Sequence, residues 1–255
     1  MKIRPFMTAI AALCATATAA SAQTAEDLVA KNIEARGGIA KIHAIKSMVI
    51  TAKLVTPDGG GGPMTVRLLR PDRIQEEMHF GDTTTIRSFD GTAAWVLERT
   101  ATREDVKPLT GGDLENLRDE GEGGIDGTLV DYKEKGNKVE FAGAAVVEGR
   151  PCFKLKVTLK SGHLQYLFLD SSTYLEVHEE IVRKFNGVET TIEETIGDYR
   201  AEGGVLFAHK YVSGLAGNSK RTTLTFEKFE INPPLGQALF AKPPAPRSTK
   251  PAKPS

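Results

Sequence analysis

The rhythm of apolar and polar positions changes once along this chain, near Lys46. Before that point the spacing is helical. Thr24 is placed to cap a helix with Asp27 as its capping-box partner, and Leu28, Val29 and Ile33 give the helix one apolar side. Gly37-Gly38 ends it, and Ile39, Ile42 and Ile45 mark a short second turn. Two helices this short cannot make a core alone. They read as a plug laid against something flat.

Beyond Lys46 the period falls to two, the signature of strands. Met48 to Thr51 leads into Pro57-Asp58 and a run of glycines, then Met64, Val66 and Leu68 alternate with Thr65 and Arg67. Pro71-Asp72 and Gly81-Asp82 bracket Ile74, Glu76, Met78 and Phe80. Thr83 to Phe89 and Ala93 to Arg99 flank Asp90-Gly91, a tight-hairpin signal. From Val130 strands resume. Phe153, Leu155, Val157 and Leu159 face one way and Lys154, Lys156, Thr158 and Lys160 the other. Asn186-Gly187 sits between Glu176–Phe185 and Val188–Gly197 as a second tight hairpin, and Val205–Val212 and Thr222–Ile231 close the set. No proline occurs between Pro151 and Pro233, which suits continuous ladders.

Residues 101–127 interrupt this pattern. Gly111-Gly112 precedes a short helix expected over Asp113–Arg118, capped by Asp113 or Thr110, and further glycines follow it. Glycine on both sides suits a mobile flap; a plain surface loop is the alternative. Ten to twelve strands joined by short turns, without strand-then-long-helix alternation, exclude a parallel α/β fold. The prediction is a mainly β chain built on one large, curved antiparallel sheet with too little helix to cover its dry face. Such a sheet encloses either a packed core or a cavity. The side chains expected to line a cavity are Met64, Val66, Met78, Phe80, Ile86 and Trp95, with Leu114 and Leu117 from the flap helix.

Charge refines the picture. The 255 residues carry 33 basic and 33 acidic side chains. The zero total gives no basic field for gripping nucleic acid. It also hides three unlike parts. Residues 1–22 hold Lys2 and Arg4 and no acid, then an apolar stretch ending at Ala20-Ser21-Ala22, which reads as a cleaved secretory signal peptide with Gln23 as the new first residue. A lipoprotein signal at Cys14 fits poorly, because Leu13 stands where a small residue is needed. Residues 243–255 are basic and proline-rich and read as an extended tail. The stretch 23–242 between them is net negative and is expected to be a single β domain. It keeps one cysteine, Cys152, which cannot form an internal disulfide and reads as a small buried side chain.

Catalytic and metal-binding patterns are missing. His43, His79, His163, His178 and His209 form no HExxH or Cys/His ligand spacing, and there is no GxSxG elbow or phosphate loop. His163 and His178 are placed to meet across neighbouring strands. Glu179-Glu180 and Glu193-Glu194 are adjacent pairs on strands, so each pair splits between two faces, although carboxylates from different strands could converge. No catalytic residue, cofactor or metal is assigned.

Several stretches, in order, resemble the LolA/LolB-like superfamily of outer membrane lipoprotein-sorting proteins. They are Thr24–Leu28 with Ala35-Arg36-Gly37-Gly38, Arg70-Pro71-Asp72-Arg73-Ile74, Phe89-Asp90-Gly91 to Trp95, Gly149-Arg150-Pro151 to Leu155, and Asp198-Tyr199-Arg200 to Val205. Glu176 after Leu175 and Ala208 after Phe207 depart from it, at positions where proline is common. The resemblance implies export to the periplasm, a half-open antiparallel β-barrel with helices as plug and lid, and an apolar interior that takes acyl chains of lipoproteins. It offers Arg67, Arg70 and Arg73 as loose candidates for a lid-holding arginine. The expected function is reversible sequestration of acyl chains of lipoproteins or lipids by a monomer, with release to an acceptor protein in the envelope. A ligand-free interaction or stress-sensing module and an envelope lipid-modifying enzyme are the alternatives. The first predicts a filled interior, the second polar groups converging in a pocket with shifted pKa values.

Overall fold

The computed structural model describes residues 23–185 and 188–244. The expected signal peptide, the turn residues Asn186-Gly187 and the tail from residue 245 onward lie outside the described residues. Two helices come first, α1 (Ala25–Ala35) and α2 (Ile39–Ala44). The capping box forms as expected: the Asp27 amide donates to Thr24 Oγ1 at 3.1 Å, and the Thr24 amide donates to Asp27 Oδ2 at 3.4 Å. After α1 the chain turns at Gly37, whose φ of +117° few side-chain-bearing residues adopt. A Cβ there would stand 2.5 Å from the carbonyl oxygen of Gly204, so glycine lets the helix end lie directly on the sheet.

Six strands follow as a meander: β1 (Ser47–Val55), β2 (Gly61–Leu69), β3 (Arg73–Phe80), β4 (Thr83–Phe89), β5 (Ala94–Arg99) and β6 (Glu104–Leu109). Helix α3 (Gly112–Gly123) comes next. Seven more strands complete the chain: β7 (Lys138–Val147), β8 (Arg150–Thr158), β9 (Leu164–Asp170), β10 (Glu176–Phe185), β11 (Val188–Glu202), β12 (Val205–Leu215) and β13 (Thr222–Ile231). A short 3-10 turn, Gln237–Phe240, ends the described chain. No helix among the described residues is long and apolar enough to cross a membrane.

The strands form a single sheet of 13 in the order β6-β5-β4-β3-β2-β1-β13-β12-β11-β10-β9-β8-β7. All pairs are antiparallel, and only β1 with β13 joins strands distant in sequence. The edges β6 and β7 do not pair, so the sheet is a half-open barrel and not a closed one. The count exceeds the expected ten to twelve because β6 lies in the segment read as a flap. Its pairing with β5 supplies strand order that its Glu, Asp, Lys and Pro residues conceal.

This topology fixes the position of the cross-over. The chain leaves β6 at one edge and must reach β7 at the other, so the connection runs over the concave face. It carries α3, twice the length expected from Asp113–Arg118 alone. Helix α3 rests on β3, β4 and β5. Its Gly121 is a close-approach residue: a Cβ there would sit 2.1 Å from the carbonyl oxygen of Asp72.

Two apolar clusters fill the concave side. In one, α2 and α3 cover β1 to β5 through Ile42, Ile45, Met48, Leu68, Phe89 and Leu117. In the other, Leu28 and Val29 of α1 press onto Leu155, Val157, Leu167 and Leu169 of β8 and β9. The alternation read for Phe153 to Leu159 holds in this cluster. Cys152 is a free, buried thiol, with its pKa raised by burial. On the convex face, the Gln75 amide donates to the Leu239 carbonyl, and the Trp95 indole and Ser88 hydroxyl donate to the Phe240 carbonyl at 2.8 and 3.1 Å.

Candidate functional site

Between the two clusters the concave face of β10 to β13 is only partly covered: the end of α1 lies on the start of β12, where the Leu206 amide donates to the Arg36 carbonyl, and α3 borders the rest. The gap is a cavity of about 430 Å³, within the size range of small-molecule sites. Helix α3 borders it with Asp119 and Glu120 at one side and with Gly123 and Gly124, which add no side-chain bulk, at the other. One wall is apolar: Ile50, Met64, Val66 and Leu68 from β1 and β2, with Leu224 and Phe226 from β13. The opposite wall is polar. Glu179 and Arg183 from β10, Glu194 from β11 and Tyr211 from β12 face across to Glu76 and Arg87 on β3 and β4.

The register explains how the polar wall forms. Phe185 pairs with Val188, and counting back equally on both sides brings Glu179 opposite Glu194 and Glu180 opposite Glu193. Each adjacent pair does split between faces. The inward members meet across the strands, while outward Glu180 and Glu193 take Lys154 at 2.9 Å and Arg221 at 3.2 Å. Like carboxylates directly opposite each other repel when both are charged. Burial first, then Glu194 and Glu176, hold Glu179 well above the usual carboxylate range. Burial pushes Glu194 up to about 7. Glu120 of α3 is also raised, by desolvation and by Glu76, but its side chain keeps 40 % of its exposure at the cavity mouth and feels water more than Glu194 does.

Hydrogen bonding divides the polar groups into engaged and unengaged. Arg87 is held by Glu76, with its Nε 3.0 Å from Oε2, and by Glu120 at 3.4 Å. Asp119 accepts from the Ser161 hydroxyl at 2.8 Å and lies 2.7 Å from His163 Nδ1, which ties α3 to the β8–β9 turn. Arg183 is only 8 % exposed, yet its Nη1 has no hydrogen-bond partner among the described residues, and neither has the buried Oε1 of Glu179.

The sequence-predicted residues are spread over three environments. Met64 and Val66 line the cavity. Met78, Leu114 and Leu117 pack in the cluster beneath α3, beside the space and not around it. Phe80 borders a shallow recess near Pro57 and Lys220 at the end of the sheet. Ile86 and Trp95 lie on the convex face: their cross-strand partners are Glu77 and Leu97, and Ser88, one residue out of step with Met64 and Met78. Trp95 anchors the C-terminal turn there. His163 and His178 do not meet. The former sits on Asp119, and the latter lies edge-on to Phe168 with its pKa lowered mainly by burial.

Of the three candidate arginines, Arg70 ties the cross-over down. Its Nε donates to the Ile45 carbonyl at 2.7 Å, its Nη2 to the Ile42 carbonyl at 3.1 Å, and its Nη1 to Asp126 Oδ2 at 2.8 Å. One side chain thus joins the end of α2 to the segment leaving α3. Desolvation works against the Asp126 carboxylate, but the Arg70 hydrogen bonds and the Lys135 charge bring its pKa below the ordinary value. Arg67 instead pairs with Glu77 on the convex face. No group of three or more His, Cys, Asp or Glu residues suited to a metal ion occurs among the described residues.

No known protein family matches the chain in sequence. No curated protein matches it at a significant level either. Solved structures do match in shape. A provisionally named outer membrane lipoprotein-sorting protein domain from Vibrio parahaemolyticus aligns with a TM-score of 0.57 at 16% identity, over 85% of this chain and 97% of that one. A DUF1329 family protein from Desulfovibrio piger gives 0.56 at 11%, over 85% and 97%. A LolA superfamily protein from Nitrosomonas europaea gives 0.55 at 13%, over 87% and 99%. At these identities the likeness establishes the fold, a half-open antiparallel sheet with helices over its concave face, and nothing finer.

Proposed function

We propose that this protein is a periplasmic carrier that holds the acyl chain of a lipid or lipoprotein in the cavity beneath α3. The observation that carries this reading is the cavity itself: about 430 Å³ left open between two packed clusters, with an aliphatic and aromatic wall. Each methylene buried there contributes about 0.8 kcal/mol, so affinity needs no covalent step. Entry and release would require the 101–127 segment to shift. Release would be driven by a competing apolar site on an acceptor in the envelope. In this reading residues 1–22 direct export and are removed before Gln23, and 23–242 act as one binding domain.

The test is uptake of palmitate by delipidated protein, compared with a Val66→Trp variant that places an indole in the space. Uptake by the parent and its loss in a variant with unchanged circular dichroism supports the reading. Equal uptake by both overturns this location.

A second reading is favoured by one observation. Glu179 and Glu194 meet in a pocket with raised pKa values, as an acid/base pair acting on an envelope lipid would need. The carrier reading is preferred because the wall facing the pair, Met64, Val66, Leu224 and Phe226, is apolar and suited to a hydrocarbon chain. Release of a cleaved or altered lipid from the uptake mixture would reverse that preference.

A further inference from the structure

Resting on the carrier reading, we propose that the polar wall is a headgroup subsite for a single-chain phosphoethanolamine lipid, with the phosphate on Arg183 and the primary ammonium on Glu179 and Glu194. The argument starts from what the cavity leaves unsatisfied. A buried guanidinium without an acceptor and a buried carboxylate oxygen without a donor each carry a desolvation cost. Arg183 Nη1 and Glu179 Oε1 are two such atoms, and both residues line the same space.

They do not satisfy one another. Glu179 and Arg183 lie four residues apart on β10, on one face, with Ile181 between them. Their Cα atoms are therefore separated by roughly 13 Å. No ion pair within 4.0 Å joins them. The other charges of the cavity are already engaged, Arg87 by Glu76 and Glu120, and Asp119 by His163 and Ser161.

The complementary headgroup must therefore offer an acceptor and a donor, separated along the strand. A purely anionic headgroup would answer Arg183 but would give the opposed Glu179 and Glu194 carboxyls no cation to ionise against. A purely cationic one would leave Arg183, which feels the charges of Glu120 and Glu179 only at a distance, without a hydrogen-bond acceptor. A zwitterion answers both. A quaternary ammonium has no N–H to give Glu179 Oε1 and is recognised by aromatic cages, whereas Tyr211 is the only aromatic side chain on the polar wall. A primary ammonium supplies the missing donors, and phosphate is the natural partner of a guanidinium. The apolar wall of Met64, Val66, Leu224 and Phe226, facing the charged one, takes the chain.

The experiment measures binding of three lysophospholipids with one palmitoyl chain, bearing ethanolamine, choline or glycerol headgroups, to the delipidated full chain. The parent is expected to prefer the ethanolamine lipid by about tenfold or more, the scale of one charge-assisted hydrogen bond. Glu179→Gln should erase most of that preference while leaving the glycerol lipid nearly unchanged. Arg183→Met should weaken all three. Equal binding of the three lipids by the parent, or a preference for glycerol, overturns the headgroup subsite and leaves the carrier reading standing. Binding of none of the three, nor of palmitate, overturns both.

Discussion

Strands β8–β9 and strands β10–β11 are neighbours in one sheet and present their concave faces to the same interior, yet they are built for opposite ends. On β8 and β9 the inward positions are Leu155, Val157, Leu167 and Leu169, and α1 seals them with Leu28 and Val29. On β10 and β11 Glu179, Arg183 and Glu194 stand among Ile181, Ile192 and Ile196, and α3 borders them across a cavity without sealing it. The first region is core, where close packing stabilises. The second keeps polar groups away from water without completing their hydrogen bonds, which costs stability. A sheet that only needed to fold would carry aliphatic residues at both. The difference locates the function in the unsealed strands, and α1 and α3 define where the cavity stops.

Mutations at the boundaries of the two regions should separate them by size of effect. The largest is expected for Arg70→Ala. It leaves buried Asp126 with Lys135 alone and removes the hydrogen bonds that hold the end of α2 to the cross-over, so a loss of about 3–5 kcal/mol is predicted in urea unfolding. Next comes Leu28→Ala in the plug, where a fully buried side chain leaves a void and about 2–5 kcal/mol is lost. The matching truncation in the open region, Ile181→Ala, borders space that is already empty and should cost about 1 kcal/mol or less. If Leu28→Ala and Ile181→Ala cost the same, the contrast between plugged and open strands is lost.

Titration sharpens the comparison further. Burial raises the Glu194 pKa on folding to about 7 from the ordinary value of 4.5, so the folded chain holds a proton that the unfolded chain releases. Its contribution is favourable below the unfolded value and is lost as pH rises from near 4.5 through about 7. Glu194→Gln removes this loss. The variant should be more stable than the parent at pH 8, by roughly 1 to 3 kcal/mol, and should match it near pH 4. A pH-independent difference between the two thermal unfolding curves would contradict a buried, uncompensated carboxylate at this position.

The fold was legible wherever the signal is local. The Thr24 box, the alternation from Phe153 to Leu159 and the Asp90-Gly91 hairpin each dictate structure within a few residues. The β1–β13 pairing is different. It joins the chain's first and last strands, and nothing near Met48 indicates that Leu224 and Phe226 will complete its wall. Strand β6 is not legible in sequence because pairing with β5, and not its own composition, orders it.

Within the site, alternation along β2 marks Met64 and Val66 as inward positions, whereas the residue types of Ile86 and Trp95 suggest a cavity wall that their parity denies. Parity through the β3–β4 and β4–β5 registers places them on the convex face. The polar wall was within reach. The two-residue loop implied at Asn186-Gly187 already pairs Glu179 with Glu194, a consequence that considering each acidic pair on its own strand does not expose. The lack of a hydrogen-bond partner for Arg183 Nη1 among the described residues depends on the whole cavity and could come only from coordinates.

The central claim is that the gap between the two packed clusters holds an acyl chain. Native mass spectrometry of the protein, gently purified from the cells that make it, tests this most directly. The account predicts a population whose mass exceeds that of the polypeptide by one single-chain lipid, lost on delipidation and absent in Val66→Trp. A bare polypeptide mass, together with no uptake of palmitate or lysophospholipid after delipidation, would contradict it.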